Sequence, residues 1–185
     1  MTEVGAADDR EALARDVLAT AVLRGHFVLR SGATSSYYID KYRLTTEPGL
    51  LTRITDAFLP LLPGEVRRIA GTALGAVPLA TALSLRTGLP SLFVRVDAAK
   101  GYGTARAIEG VLEPGDAIVL VEDVVTTGGA SLTAVEVLRA AGANVLAVLA
   151  VVDREQGGTQ AFRDAGIPFR TLFTVSELGL GESSA

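Results

Sequence analysis

Two neighbouring carboxylates, Glu122 and Asp123, stand between an apolar run and a string of small residues. The five apolar residues before them, 117–121, are too few for an ordinary helix and are typical of a strand buried on both faces of a parallel sheet. The string T-T-G-G-A-S follows at 126–131, and a helical pattern begins there. Because unpaired backbone N–H groups converge where a turn enters a helix, and the helix dipole favours negative charge, this segment predicts an anion site.

The paired acids are suited to bind ribose hydroxyls or a divalent cation. Together with the anion site, they predict that a phosphate and a sugar bind at one strand end. A purely structural alternative is that the acids end the strand and the glycines turn the chain, since Gly-rich turns are common between elements. The segment contains neither a Walker A loop nor a G-x-G-x-x-G fingerprint, so it belongs to neither of those phosphate-binding classes.

Composition limits the class of protein. The 185 residues favour one domain with a substantial core, and 49% hydrophobic with 21% charged residues indicates a globular chain. The net charge of −4 argues against a nucleic-acid-binding surface, and the lack of cysteine excludes disulfides, thiolate metal sites and a cysteine nucleophile. No apolar run approaches the ~20 residues of a membrane span and no signal peptide is visible, so we expect a cytoplasmic protein without a membrane or nucleic-acid partner.

The order of strand and helix patterns predicts the fold. We expect a helix from Asp8 or Asp9 to about Arg24, and a hood at about 25–45 made of two short strands around a turn. Strands are expected at 68–71, 91–95, 117–121, 144–152 and 169–173, and helices at 46–62, 76–86, 131–141 and 159–165. This order implies right-handed crossovers and a mostly parallel central sheet flanked by helices, an α/β fold. We expect a single domain over 1–185 with its core at about 46–178, frayed residues 1–8 and a disordered Gly/Ser end after Glu177.

In parallel sheets, ligands bind beyond the carboxyl ends of the strands, so the loops that follow the inner strands are expected at one edge. These loops are 71–75, 95–108 and 122–131. Loop 95–108 is polar and longer than the ~2–6 residues of most βα connections. Its basic residues Arg95, Lys100 and Arg106 would bring positive charge to a polyphosphate if the loop closes as a lid, although a solvated surface loop explains the composition equally well.

Two further segments could hold an aromatic, charged ligand. The hood contains Tyr37 and Tyr38, whose faces could stack on a ring, and Arg30, which could donate hydrogen bonds. The cluster D-R-E-Q at 153–156 follows another buried strand, and Arg154 could recognise a carboxylate or a carbonyl-rich ring. Taken alone, a half-buried hairpin and a strand-end salt bridge are the better explanations of these two segments.

Six segments together resemble the orotate phosphoribosyltransferases, a branch of the type I phosphoribosyltransferase family, over roughly residues 10–178. They are F-V-L-R-S-G-x-x-S-x-Y-Y-I-D (27–40), A-G-T-A-L-G-A-V-P-L-A (70–80), F-V-R-x-D-x-x-K-G-Y-G-T (93–104), I-E-G (108–110), V-L-V-E-D-V-V-T-T-G-G-A-S (119–131) and V-V-D-R-E-Q-G-G (151–158). The string at 119–131 resembles the phosphoribosyl-pyrophosphate (PRPP) motif of the whole family. The hood segment and D-R-E-Q-G-G narrow the resemblance to the orotate branch.

The resemblance implies a type I phosphoribosyltransferase-like fold and an activity. Such enzymes transfer ribose 5-phosphate from PRPP to orotate, giving orotidine 5′-monophosphate and pyrophosphate in UMP biosynthesis, with Mg²⁺. They are typically homodimers, which implies that loop 95–108 reaches into the partner's site.

The resemblance also implies roles for individual residues, with the acids holding the ribose hydroxyls and the backbone of 125–131 cradling the 5-phosphate. The implied PRPP-binding residues are Arg95, Lys100, Glu122, Asp123, Val124, Val125, Thr126, Thr127, Gly128, Gly129, Ala130 and Ser131. The implied orotate-binding residues are Arg30, Tyr38, Thr126 and Arg154. The implied catalytic residues are Lys100, Glu122 and Asp123, with Lys100 donating to the leaving group. Mg²⁺ would bind mainly through PRPP, with Asp123 as a candidate protein ligand.

The loop departs from the family's pattern. Val96 stands where the first lysine of an Arg-Lys pair is expected, and Lys100 comes one position late. These changes leave the turnover rate and the acceptor base open, so a PRPP-dependent transferase of another base is one alternative. A PRPP-sensing regulator that binds nucleic acid is another, although some 25 residues before the hood are too few for a DNA-binding domain.

Overall fold

The structure, a computed structural model, describes residues 3–28, 32, 34–96 and 106–181, with side chains from residue 8 onward. Its elements, in chain order, are α1 (Glu3–Ala21), β1 (Val22–Val28), β2 (Thr34–Ile39), α2 (Arg43–Thr46), α3 (Pro48–Phe58), β3 (Arg68–Thr72), α4 (Val77–Thr87), β4 (Ser91–Val94), β5 (Ile108–Glu109), β6 (Ala117–Val125), α5 (Gly129–Ala140), β7 (Asn144–Asp153), α6 (Gly158–Asp164) and β8 (Phe169–Thr174). A 3₁₀ turn at Leu59–Leu61 follows α3.

Strands β3 to β8 form one sheet in the order β5-β4-β3-β6-β7-β8, in which only β5 runs antiparallel to its neighbour. Strands β1 and β2 pair antiparallel in a separate two-stranded sheet, the hood. The predicted α/β fold, with a mostly parallel sheet flanked by helices and a small hood, is confirmed. Strand β5 is an addition, because two residues without a period-2 pattern give no strand signal of their own.

The central strand β6 is buried on both faces, as its unbroken apolar run predicts. Val119 and Val121 belong to the hydrophobic core on one face of the sheet, which also contains residues of α1, α3 and α4. Ile118 and Leu120 pack on the other face against α5 and α6. Parallel pairing with β3 and β7 on either side places the carboxyl end of β6 in the middle of one sheet edge.

Strand β6 is longer than predicted. It continues through both acids to Val125, since Glu122 pairs with Ala150 and Val125 pairs with Asp153 of β7. The prediction ended the strand at residue 121, where the apolar run stops. Pairing with a distant strand, which the local pattern does not show, extends it.

The first helix is displaced from its predicted position. It begins at Glu3, so residues 3–8 form its first turns instead of a frayed end. It ends at Ala21, three residues before the predicted end, because Val22 already pairs with Ile39 in the hood.

The end of helix α3 and the segment after Glu177 also differ from the predictions. Helix α3 stops at Phe58, and Pro60 in the following turn has no N–H to continue the helical hydrogen bonds. After Glu177 the chain still packs on the core through buried Leu178 and Leu180, so residues 178–181 are ordered, contrary to the prediction; the rest of the Gly/Ser end lies outside the described residues.

No helix within the described ranges is long and apolar enough to cross a membrane.

Candidate active site

The turn between β6 and α5 leaves its backbone N–H groups open. Gly128 has φ +80°, a left-handed conformation that favours glycine, and a methyl group there would lie 3.3 Å from the Phe162 ring. The carbonyls of the turn are engaged, since Gly158 N–H donates to Thr126 O and Leu132 N–H donates to Gly128 O. Within the described residues, the N–H groups of 126–131 donate to no protein acceptor. The predicted anion-binding amides are therefore free to bind a ligand.

Glu122 is held by two hydroxyl groups. Its side chain is buried, with 6% exposure, and its carboxylate accepts hydrogen bonds from Thr72 Oγ1 at 2.5 Å and Ser131 Oγ at 2.8 Å. These bonds connect the end of β3 to the first turn of α5. Burial raises the pKa of Glu122 to about 7; the Thr72 hydrogen bond opposes the rise, and the neighbouring charge of Asp123 adds to it.

This raised pKa of Glu122 predicts that the free energy of unfolding decreases as the pH rises from about 4.5 to about 7. The folded-state pKa of about 7 lies above the ordinary value of 4.5, so the folded protein holds a proton that the unfolded chain has released between these values. The contribution is fully present below about pH 4.5 and is lost as pH rises through about 7, a change on the order of 3 kcal/mol. Urea unfolding of Glu122→Gln should show a weaker fall in stability over this range than the unsubstituted protein. Glu136→Gln, which changes an exposed acid on α5, is the matched control, and identical slopes for all three proteins would contradict the assignment.

Asp123 lines the cavity of the site and is not part of the hydrophobic core. The residue is only 3% exposed, and its Oδ1 accepts a hydrogen bond from its neighbour Val124 N–H at 2.6 Å. Its Oδ2 is buried and accepts no hydrogen bond in the described structure, although Lys41 Nζ lies 3.5 Å away. A buried, unpartnered carboxylate oxygen beside a cavity is available to a ligand hydroxyl or a cation.

A cavity of about 200 Å³ joins these groups. Its lining consists of residues 122–131 with Lys41, Thr72, Ala73, Gly75 and Val96. The loops after β3 and β6 thus meet at one sheet edge, as the strand order predicts. On the loop after β3, which lines the cavity through Ala73 and Gly75, the N–H groups of Leu74 and Gly75 also donate to no acceptor in the described structure. The cavity therefore combines open amides on two of its loops with the two carboxylates of β6.

The acids could also hold a metal ion in part. Among the described residues, no group of three or more His, Asp or Glu side chains is arranged as a metal site. The unpartnered Oδ2 of Asp123 is a hard oxygen donor, which fits one ligand position of Mg²⁺. Because Mg²⁺ usually keeps several waters and binds substrate phosphates, a single protein carboxylate is a suitable donor set for a cation that arrives with its ligand.

The basic loop residues are only partly described. Arg95 lies beside Glu109, with 3.6 Å between Arg95 Nη1 and Glu109 Oε1, and it does not line the cavity. Arg106 is exposed, whereas Val96 does line the cavity. Lys100 and the rest of 97–105 lie outside the described residues.

The predicted orotate-binding residues are brought together in part. Thr126 lines the cavity, and the Arg154 guanidinium lies 6.0 Å from the centre of the Tyr37 ring. Tyr38, for which the family resemblance implies contact with orotate, is 43% exposed and packs beside Phe27. Tyr37 and Tyr38 differ because successive residues of a strand face opposite sides. Arg30 lies outside the described residues.

The turn that carries Arg154 is held by hydrogen bonds to the carboxylate of Asp153 and not by a salt bridge of the described residues. Asp153 accepts hydrogen bonds from Glu155 N–H at 2.9 Å and Thr159 Oγ1 at 2.7 Å. Arg154 has no ion pair in the described part of the chain, and its Nε is buried without a hydrogen-bond partner. Within the described ranges Arg154 therefore forms no strand-end salt bridge, and its Nε is left for another group.

Sequence reasoning missed two residues of this cavity. Lys41 comes from the end of the hood, and Thr72 comes from the end of β3. Thr72 belongs to segment 70–80, one of the six that resemble the family, but the sequence did not predict a role for its hydroxyl group. Lys41 carried a weak signal, a basic residue directly after a strand and beside an acid, which is common at protein surfaces.

An α/β sheet with a hood, and with a cavity of open amides and paired carboxylates at the ends of its central strands, defines a type I phosphoribosyltransferase. The chain is 45% identical over 158 residues to orotate phosphoribosyltransferase of Methanocella arvoryzae, covering 85% of this chain and 90% of the relative. It is 43% identical over 166 residues to that of Nocardioides sp., covering 90% and 92%. The chain therefore belongs to the orotate phosphoribosyltransferase family.

Solved structures show the same likeness. Orotate phosphoribosyltransferase of Mycobacterium tuberculosis in complex with PRPP matches with a TM-score of 0.78 and 32% identity, over 93% of this chain and 99% of that one. The enzyme from Aeropyrum pernix matches with a TM-score of 0.76 and 33% identity, over 90% and 96%. No protein-family model matched the chain.

Proposed function

We propose that the protein transfers ribose 5-phosphate from PRPP to orotate, releasing pyrophosphate and forming orotidine 5′-monophosphate, as a cytoplasmic single-domain enzyme of UMP synthesis. The observation that carries this proposal is the cavity of open amides and paired carboxylates, in a chain 45% identical to an orotate phosphoribosyltransferase over 85% of its length.

The three parts of PRPP correspond to three parts of the cavity. The 5-phosphate would accept hydrogen bonds from the amides of 126–131 at the positive end of α5. The ribose would lie over Asp123, whose Oδ2 lacks a partner and can accept from a ribose hydroxyl. The diphosphate would lie toward the open amides of Leu74 and Gly75.

The two acids take different roles in this proposal. Glu122 already accepts from two protein hydroxyls, so it fixes β3 and α5 relative to one another and contributes through position. Asp123 faces the cavity and is the group that contacts the sugar. Its negative charge stabilises the positive charge that develops on the ribose as the bond to pyrophosphate lengthens. No protein nucleophile is required.

The leaving group needs positive charge. Mg²⁺ bound with the diphosphate would neutralise charge on the departing oxygens. Among the described residues that line the cavity only Lys41 is basic, so further cations must come from outside this set. Arg95 and Lys100 of loop 95–108 would supply them, as a lid that closes over the site in a partner subunit of a homodimer.

The orotate ring would lie between the ribose and the hood. Arg154 offers unpaired donors to the carboxylate of orotate, and Thr126 offers a hydroxyl at the edge of the cavity. Tyr37, which lies beneath Arg154, would hold the guanidinium in place.

The proposal is tested by turnover with a panel of bases. Incubation with PRPP and Mg²⁺ should convert orotate to orotidine 5′-monophosphate with one pyrophosphate released per orotate consumed, and should leave uracil, adenine and hypoxanthine unchanged. If another base is converted and orotate is not, that base is the acceptor and the proposal of orotate is wrong. Binding of PRPP without turnover of any base would favour a regulator over an enzyme.

Lys100→Ala is expected to lower kcat about 30-fold, because a cation that stabilises the leaving pyrophosphate acts mainly in the transition state. The affinity for ribose 5-phosphate, which carries no diphosphate, should change less than about twofold. Steady-state kinetics and calorimetric titration measure the two quantities. An unchanged kcat would remove Lys100 from the mechanism.

Subunit mixing tests where the loop acts. A mixture of Lys100→Ala and Asp123→Asn chains, refolded together, should regain activity if each loop reaches into the partner's site, because one site of the mixed dimer then has both residues. If the loop serves its own subunit, each site of the mixed dimer lacks one residue and the mixture stays as inactive as its components.

A further inference from the structure

Lys41 brings a positive charge from the hood into the cavity of the core. It follows Asp40, whose N–H donates to Ala21 O at 2.8 Å and so fixes the end of the hood on α1. Lys41 Nζ lies 3.5 Å from Asp123 Oδ2. A methyl group placed on Gly75 would lie 3.2 Å from the same nitrogen, which puts Lys41 beside the loop after β3.

The ion pair with Asp123 does not by itself explain this position. The Lys41 side chain is 43% exposed, and ion pairs of half-exposed lysines contribute little to stability. At 3.5 Å the contact is not a hydrogen bond of the described structure, and Asp123 Oδ2 remains without a donor. The ammonium group therefore keeps its hydrogen-bonding capacity for a ligand.

The charge of the cavity favours a ligand role. The Asp123 carboxylate lies in its lining, and its negative charge would repel a diphosphate that approaches the amides of Leu74 and Gly75. Of the described lining residues, Lys41 alone carries a positive charge, and its ammonium lies beside both Asp123 Oδ2 and Gly75. A lysine ammonium is a compact point charge that binds phosphate oxygens well.

We propose that Lys41 binds the diphosphate of PRPP beside the Gly75 loop and makes the site prefer PRPP over ribose 5-phosphate. This inference rests on the proposed function. Contact with the diphosphate moves the ammonium away from Asp123, and Oδ2 is then free to accept from a ribose hydroxyl. Lys41 thus couples the arrival of the diphosphate to the exposure of the carboxylate that holds the sugar.

The test compares two ligands that differ only in the diphosphate. Calorimetric titration with PRPP and Mg²⁺, and separately with ribose 5-phosphate, is carried out on the unsubstituted protein and on Lys41→Gln, Lys41→Arg and Arg43→Gln. Lys41→Gln should weaken PRPP binding at least about tenfold and ribose 5-phosphate binding less than about twofold. Lys41→Arg, which keeps the charge, should stay within about threefold of the original PRPP affinity.

Arg43→Gln is the matched control. Arg43 is a neighbouring half-exposed cation paired with Asp40 at 3.4 Å, and it does not line the cavity. It removes the same net charge and should change neither affinity. An equal loss for both ligands in Lys41→Gln would mean that Lys41 acts only through Asp123, and unchanged PRPP binding would mean that it does not contact the diphosphate; either result overturns the inference.

Failure of the proposed function gives a different result. If the unsubstituted protein binds PRPP but turns over another base instead of orotate, the acceptor is wrong and the comparison of Lys41 variants still holds. If the unsubstituted protein does not bind PRPP at all, the proposed function and the role of Lys41 both fail.

Discussion

Asp123→Asn is expected to lower kcat/KM for PRPP about 10³-fold. The substitution keeps the size and shape of the side chain, and the amide oxygen can still accept from Val124 N–H as Oδ1 does now. What is lost is the negative charge at Oδ2, the buried atom that faces the cavity without a hydrogen-bond partner. That charge is worth most when positive charge develops on the ribose, so kcat should fall more than the affinity for ribose 5-phosphate.

The loss should not come from unfolding. A buried carboxylate with one unpartnered oxygen is costly to desolvate, so the asparagine variant should unfold at the same temperature as the unsubstituted protein or at a higher one. Asp56→Asn, which changes an acid paired with Arg86 at 2.7 Å on the surface, controls for the loss of one negative charge. A kcat/KM within threefold of the original value would show that Asp123 does not contact the reacting sugar.

The sequence gives no reason to distinguish the neighbouring acids Glu122 and Asp123, but in the structure their carboxylates have different hydrogen-bond partners. Thr72 and Ser131 use both oxygens of Glu122, whereas the cavity side of Asp123 receives no hydrogen bond in the described structure. The first acid therefore stabilises the shape of the site, and the second is left available at a cost in stability. A buried polar group that lacks a partner lowers the stability of the fold. Such groups are typical of functional sites, because a hydrogen-bond partner within the protein would block the ligand.

Local patterns were sufficient to predict the β6–turn–α5 unit. The apolar run, the small residues at 126–131 and the helical periodicity after them each depend on residues that are close in sequence. The continuation of β6 through Glu122 was not predictable in this way, because it depends on pairing with Ala150. A local pattern cannot show which distant strand a segment will find.

Residues from the hood were the hardest to place. The period of two indicates that Tyr37 and Tyr38 face opposite sides of β2. Which of them faces Arg154 depends on how the hood packs on the core, and only the structure gives that answer. Lys41 was not predicted as a cavity residue for the same reason. Its distance to Asp123 depends on how the hood packs on the core, and no sequence motif indicates it.

Gly75→Ala is expected to lower kcat/KM about 100-fold through the same carboxylate, because small displacements of a catalytic group are costly. A methyl group on Gly75 would overlap Asp123 Oδ2, far inside van der Waals contact. Asp123 cannot simply swing away, since Val124 N–H holds its other oxygen at 2.6 Å and the side chain is buried. The carboxylate or the loop must shift, and either movement separates Asp123 from the ribose.

Gly64→Ala is the matched control, because a methyl group on Gly64 would meet nothing within 4 Å and activity should be unchanged. A double-mutant cycle then identifies which part moves. If the methyl group acts by displacing the Asp123 charge, Gly75→Ala should cost less than about threefold further in an Asp123→Asn background, where that charge is already absent. If it acts by moving the amides of Leu74 and Gly75, the two losses should multiply. Full activity of Gly75→Ala alone would mean that the close approach of Asp123 to this loop is not needed for the reaction.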